Sequence, residues 1–205
     1  MRREFGGCAG NIGYNLKLLG GEPLVMASVG VDASSYFDHM AKFQISTEFV
    51  QEIADAFTAQ AMITTDRDNN QITAFHPGAM DSSHLNDALQ AIQQKKSSTN
   101  PIRLGIVAPD GRQGMIMHAK QFTEAAIPFI FDPGQGLPMF DGKELEVFIE
   151  QASYIAVNDY EGEMLAIRTG LSLKTIAQRV QALIVTKGSQ GADVYVNGEV
   201  LQIPA

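Results

Sequence analysis

Apolar positions along the first third of the chain change rhythm three times. Ile12, Leu16 and Leu19 recur at helical spacing between Gly10 and Leu19, and Gly20-Gly21 stops the run. After Pro23, Leu24–Gly30 is a short, nearly continuous apolar stretch, the pattern of a buried strand. Helical spacing returns from Asp32 to Phe43 through Tyr36, Phe37 and Met40. From Phe57 to Phe75 the period falls to two: Ala59, Ala61 and Ile63 alternate with Gln60, Met62 and Thr64. Ile72–Phe75 then resumes after the polar turn Asp66-Arg67-Asp68-Asn69-Asn70. This pattern predicts a β-hairpin, closed by His76-Pro77-Gly78-Ala79.

From Ala88 onward, short apolar runs alternate with amphipathic ones. Strands are expected at Ile102–Val107, Ile127–Phe131, Tyr154–Val157 and Ala182–Val185. Helices are expected at Gly114–Ala125, Leu145–Gln151, Glu161–Thr169 and Leu173–Gln181. Such alternation argues for a parallel, doubly wound α/β sheet. A second hairpin, Ala192–Val196 and Glu199–Ile203 around Asn197-Gly198, follows the last of these strands. Lys95–Asn100 is a polar connection, and no low-complexity linker separates the pieces.

Composition narrows the function classes. With 45% hydrophobic residues over 205 positions the chain can bury a core, so disorder is not expected. A net charge of −8 argues against a nucleic-acid or anionic-membrane binder. The single cysteine, Cys8, excludes an internal disulfide and any multi-cysteine metal site. No apolar run reaches the length of a membrane span, and no signal peptide is visible, so a cytoplasmic protein is expected.

Open parallel sheets bind ligands beyond the carboxyl ends of their strands. The four predicted strands are followed there by Ala108-Pro109-Asp110-Gly111-Arg112, Asp132-Pro133-Gly134, Asn158-Asp159-Tyr160-Glu161 and Thr186-Lys187-Gly188-Ser189-Gln190-Gly191. Any one of these could be only a cap or turn. Together they place acidic groups beside a Thr/Lys/Gly turn whose backbone N–H groups suit phosphate oxygens. Near the N-terminus, Gly6-Gly7-Cys8-Ala9-Gly10-Asn11 opens a helix, where bare backbone can approach a hydroxylated ligand and the Asn11 amide can bond to it. A dinucleotide-binding oxidoreductase is a competing reading, but no apolar strand precedes this glycine cluster. There is no Walker A motif.

Gly6-Gly7-x-x-x-Asn11, Asn158-x-x-Glu161 and Thr186-Lys187-Gly188-x-x-Gly191, in that order, resemble the ribokinase-like (PfkB) carbohydrate kinase family. Phe57–Gln60 and Asn70–Met80 look like its adenosine kinase-like branch. The resemblance covers essentially the whole chain. It implies an α/β, ribokinase-like, doubly wound and mostly parallel sheet with helices on both faces, an incomplete domain over residues 1–205. The hairpin at about 57–76 would be a small β-hairpin lid, which in such proteins either stands free or pairs two chains into a homodimer. The implied activity is ATP-dependent phosphoryl transfer to a sugar or nucleoside hydroxyl, with Mg²⁺. Gly6, Gly7 and Asn11 would bind substrate; Asn158, Thr186, Gly188 and Gly191 would bind nucleotide; Glu161 would serve the metal, with Asn158 helping to organise its waters.

The sequence departs from the family pattern at both ends. The Gly-x-Gly-Asp motif that carries the catalytic base is absent, as is the first substrate-binding strand with its Asp. No catalytic residue is assigned on this reading, and negligible kinase activity is expected of the chain as written. The alternative is a catalytically inactive nucleoside- or sugar-binding protein.

Overall fold

In the computed structural model, which describes residues 2–205, the chain divides into two compact units, Met1–Asn86 and Asp87–Ala205.

In the first unit, α1 (Cys8–Leu18) and α2 (Ser34–Lys42) accompany the parallel pair β1 (Leu24–Gly30) and β2 (Ser46–Ile53). Val25, Met40 and Ile45 form its core, surrounded by Ala9, Tyr14, Tyr36, Phe43 and Val50. Gly13 lets α1 sit close to the sheet, because an added Cβ would stand 2.8 Å from Val25 Cγ2. Strand β2 was not expected from the sequence. Glu48, Gln51 and Glu52 break its apolar run, and it pairs on one side only. The predicted hairpin forms as β3 (Gln60–Thr65) and β4 (Gln71–His76), in register from Gln60↔His76 to Thr65↔Gln71. Its turn is tied by Asp66, whose carboxylate accepts from the backbone N–H groups of Asp68 and Asn70 and from the Asn70 amide.

In the second unit, Asp87 caps α3 (Ala88–Lys95), a helix the periodicity had not marked. Then come β5 (Gly105–Val107), α4 (Arg112–Glu124), β6 (Phe129–Phe131), α5 (Gly142–Gln151), β7 (Tyr154–Asn158), α6 (Asp159–Thr169), α7 (Leu173–Ala177) and β8 (Ala182–Thr186). The unit ends with the hairpin β9 (Ala192–Val196) and β10 (Glu199–Ile203). Together the strands make one sheet in the order β10-β9-β8-β7-β6-β5, parallel from β5 to β8 and antiparallel beyond. The α/β class and mostly parallel sheet are as expected.

Alternation along the strands decides what is buried. Ile155 and Val157 on β7, and Leu183 and Val185 on β8, are buried, whereas Tyr154, Ala156, Ala182 and Ile184 are half-buried. With Phe129 and Phe131 they pack beside Met115, Leu145, Phe148, Leu165 and Ile176, all buried, each contributing roughly 1.5–3 kcal/mol. Phe131 stacks on Phe148 with ring centroids 4.4 Å apart.

Several element ends fall short of their predicted bounds for local reasons. Ile127 N–H bonds to Phe122 O and so belongs to the end of α4 rather than to β6. The predicted helix Leu173–Gln181 stops at Ala177, because Gln181 N–H reaches Ser153 O and leads into β8 beside β7.

Candidate active site

The strand ends of the second unit are built almost entirely from local bonds. Asn158 closes β7 and is at once the N-cap of α6: its side-chain oxygen accepts Glu161 N–H at 2.8 Å, and Glu161 Oε2 accepts Asn158 N–H at 2.8 Å. This reciprocal capping box fixes both side chains that the sequence singled out, and it leaves Glu161 Oε1 with no bond among the described residues. Asn158 lies directly opposite Thr186 in the β7–β8 register.

Past Thr186, Lys187 N–H bonds to Gly191 O at 2.7 Å and Gly191 N–H to Gly188 O, closing a tight turn. The Lys187 ammonium pairs with the buried carboxylate of Asp193 on β9, which pushes the lysine pKa up. The two glycines of this turn differ. Gly191, at φ +87°, lies where an added Cβ would overlap the Ile203 carbonyl, so the fold itself demands glycine. Gly188 has φ +54° and open space where a Cβ would stand, which leaves room for an outside group.

Asp132 follows β6 and its N–H bonds to Val107 O. Burial first, and then the charge of Glu161, push its carboxyl up to about 6. Weighed from the sequence as an equally good cap, it caps no helix: the turn after it begins from Pro133 and makes no side-chain cap bond. Two carboxyl groups that repel one another are a donor set suited to Mg²⁺, which takes one or two carboxylates and keeps several waters. Among the described residues no cluster of three or more His, Cys, Asp or Glu side chains is arranged for a metal ion.

The first unit combines a local bond, Asn11 N–H to Gly7 O at 2.9 Å, with several long-range ones. Gly7 has φ +93° and ψ 145°, a conformation open to glycine, and serves as the N-cap of α1 without a side-chain bond. Asn11 in the first turn borders a cavity of about 220 Å³ that is also lined by Phe5, Gly10, Tyr14, Tyr36 and His39. At the root of the hairpin, Asp32 Oδ1 accepts Thr58 N–H at 2.8 Å and Thr58 Oγ1–H at 2.7 Å, and Thr58 Oγ1 accepts Gly30 N–H at 3.0 Å. Those bonds from Thr58 hold the Asp32 carboxyl below the usual carboxylate range. Gln60, whose direction the sequence left open, reaches Asp32 Oδ2 at 3.5 Å.

The residues expected at the site thus fall in both units: Gly6, Gly7 and Asn11 in the first; Asn158, Glu161, Thr186, Gly188 and Gly191 in the second, at and just past the ends of the neighbouring strands β7 and β8. Sequence reasoning gave no weight to Asp32 or the Lys187–Asp193 pair. An acidic residue just past an apolar strand was the available signal for Asp32.

A profile of the pfkB family carbohydrate kinases matches residues 1–205. The structure is similar to that of Burkholderia thailandensis nucleoside kinase in complex with inosine, at 54% identity and a TM-score of 0.91, over 100% of this chain and 65% of that one. The complex of that kinase with ADP-inosine gives a TM-score of 0.90, over 100% of this chain and 62% of that one. Nucleoside kinase from Methanocaldococcus jannaschii is 29% identical over 99% of this chain and 65% of its own length. The chain therefore spans about 65% of the length of the curated relatives it matches.

Proposed function

The chain belongs to the pfkB family of carbohydrate kinases, and on that premise we propose that it serves ATP-dependent phosphoryl transfer to a hydroxyl of a nucleoside. One observation carries the reading. Asp132, the Asn158–Glu161 pair and the Thr186–Gly191 turn lie at the carboxyl ends of neighbouring parallel strands, where an open sheet takes its ligand. The inosine complex of the 54%-identical Burkholderia kinase supports a nucleoside over a simple sugar, and its ADP-inosine complex supports an adenine nucleotide as donor.

In this reading the backbone of Gly6 and Gly7 and the amide of Asn11 bond to ribose hydroxyls. Thr186, Gly188 and Gly191 line the nucleotide, with Asn158 at its edge. Glu161, with Asp132, holds Mg²⁺, which when bound neutralises phosphate charge. The hairpin at about 57–76 acts as a lid that excludes water, favouring transfer over hydrolysis, or as the contact of a homodimer. Residues 1–205 then act as one ribokinase-like domain in the cytoplasm, with no nucleic-acid or membrane partner; among the described residues no helix is long and apolar enough to cross a membrane.

The test is calorimetry of the chain with inosine, adenosine, ribose and a non-hydrolysable ATP analogue in Mg²⁺, paired with an assay for nucleoside monophosphate. Nucleoside binding strengthened by the analogue is the expected result. Robust product formation overturns the expectation of negligible activity, and binding of neither ligand overturns the reading.

A further inference from the structure

Apart from the bond of Asn11 N–H to Gly7 O at 2.9 Å, the Gly6-Gly7 segment is not held by its own neighbours in sequence. Its contacts run to α2, about thirty residues on. Arg3 donates to Ser35 Oγ at 3.2 Å, Phe5 stacks on His39 with centroids 4.4 Å apart and meets Tyr36 edge-on at 5.6 Å, and the Tyr36 hydroxyl donates to Gly6 O at 2.6 Å. Ser35, Tyr36 and His39 thus present one side of α2 to the segment.

The Tyr36 bond has a geometric consequence for the next residue. A trans peptide is planar, with its C=O and N–H pointing in opposite directions, and no peptide bond among the described residues is cis. Fixing the Gly6 carbonyl toward Tyr36 therefore fixes the Gly7 N–H away from α2. That N–H meets no acceptor among the described residues, and Gly7 is exposed. An added Cβ at Gly6 or Gly7 would touch nothing within 4 Å, so packing within the chain does not exclude a side chain at Gly6. What a side chain there would fill is the open space in front of the loop.

Gly10 completes the arrangement. A Cβ at this position would overlap the Tyr36 hydroxyl, so the phenol reaches Gly6 only because residue 10 has none. The phenol is also kept in its donor form: burial pushes its pKa up, so it stays protonated through neutral pH.

We propose that Tyr36, admitted by Gly10, is a positioning residue for nucleoside binding: through the Gly6 carbonyl it sets the Gly7 N–H as a donor to a hydroxyl of the nucleoside's ribose. The proposal rests on the kinase reading of the glycine loop and adds two residues that reading does not contain. Tyr36 touches no substrate; it acts through the peptide plane it pins.

The experiment compares Tyr36→Phe, which keeps the ring and removes only the hydroxyl, with Gly10→Ala, which displaces the ring. Inosine and a non-hydrolysable ATP analogue are titrated into each chain, and the Gly7 amide is followed by ¹⁵N NMR. Loss of one hydrogen bond's net contribution corresponds to about a fivefold weaker inosine affinity in Tyr36→Phe, and Gly10→Ala should lose at least as much. Analogue affinity of Tyr36→Phe should stay near that of the unaltered chain and its melting temperature should fall by no more than about 2–4 °C, a split that general loosening of the unit would not give. In both variants the Gly7 amide resonance should shift and its heteronuclear NOE should fall. Equal inosine affinity with and without the Tyr36 hydroxyl overturns the positioning role while leaving the kinase reading intact. An unaltered chain that binds no nucleoside overturns the reading beneath it.

Discussion

The two units hold their candidate residues in opposite ways. In the second, most bonds that shape the site close within a few residues: Asn158 with Glu161, Lys187 with Gly191 and with Asp193, the exception being Asp132 N–H to Val107 O. In the first they close over 26 to 30 residues: Asp32 with Thr58, Tyr36 with Gly6. A short loop costs little entropy to close, so the turns of the second unit are largely set by their own sequence. The glycine loop and the root of the hairpin acquire their shape only when β1 and α2 are already in place. Local construction suits a site that must be rigid, whereas long-range anchoring ties a segment to distant elements and can release it with them.

The comparison breaks most visibly if a local turn proves dispensable. Gly191→Ala forces a Cβ into the Ile203 carbonyl at a φ and ψ that only glycine adopts readily, and a loss of about 3 kcal/mol is expected. Gly188→Ala, left-handed but unobstructed, should cost about 1 kcal/mol. Urea denaturation of both variants tests the contrast; equal costs would mean that the Ile203 contact does not shape the turn.

Asp32 probes the long-range side. Removing its carboxylate in Asp32→Ala strips Thr58 of two bonds, and about 2 kcal/mol of stability should go with them. Because its folded pKa lies below the usual carboxylate value, the charge-dependent part of this contribution is complete above about pH 4 and is lost as pH falls through the depressed pKa. Hydrogen exchange should quicken at Thr58 and Gly30 together, two strand-linked segments responding to one distant side chain. A response confined to residues next to Asp32 would place this anchor with the local ones.

Legibility in the sequence followed the same division. The Asn158-x-x-Glu161 spacing and the Thr186–Gly191 turn are local patterns, and both could be read before any fold was known. So could the hairpin, whose period of two and polar turn are written in consecutive residues. Tyr36 and Gly10 could not be read, since nothing near Tyr36 says that its hydroxyl meets Gly6, and Asp32 offered only its place just past an apolar strand. Strand β2 escaped for a related reason: only its pairing with β1 makes a strand of a run interrupted by Glu48 and Glu52. Even where the motif was legible, its meaning was incomplete. Asn158 and Glu161 were expected as ligand residues, and what the structure shows of them is a helix cap.

Asp132 is the one strongly shifted carboxyl in the second unit. Its folded pKa of about 6 lies above the unfolded value, so its ionised form is penalised and stability falls as pH rises from about 4 to 6, then stays level. Asp132→Asn should abolish that slope and stabilise the chain by about 1–2 kcal/mol at pH 7. Melting curves from pH 4 to 8 read the difference; an unchanged slope would show that the pH dependence comes from another group.

Glu161 offers the finest separation, because one side chain is asked to do two things. As the last member of the capping box it needs only an acceptor for Asn158 N–H, which a glutamine also supplies. As a metal-holding group it needs charge, which a glutamine lacks. Glu161→Gln should therefore leave stability within about 0.5 kcal/mol in metal-free buffer, whereas Asn158→Ala, which removes the acceptor for Glu161 N–H, should cost about 1 kcal/mol. Addition of Mg²⁺ at pH 8 should raise the melting temperature of the unaltered chain, since a divalent cation relieves the repulsion between Asp132 and Glu161. In Glu161→Gln that repulsion is already gone, and the Mg²⁺ response should shrink with it. A Mg²⁺ response of full size in Glu161→Gln would falsify the metal role and leave Asn158-x-x-Glu161 as a helix cap alone.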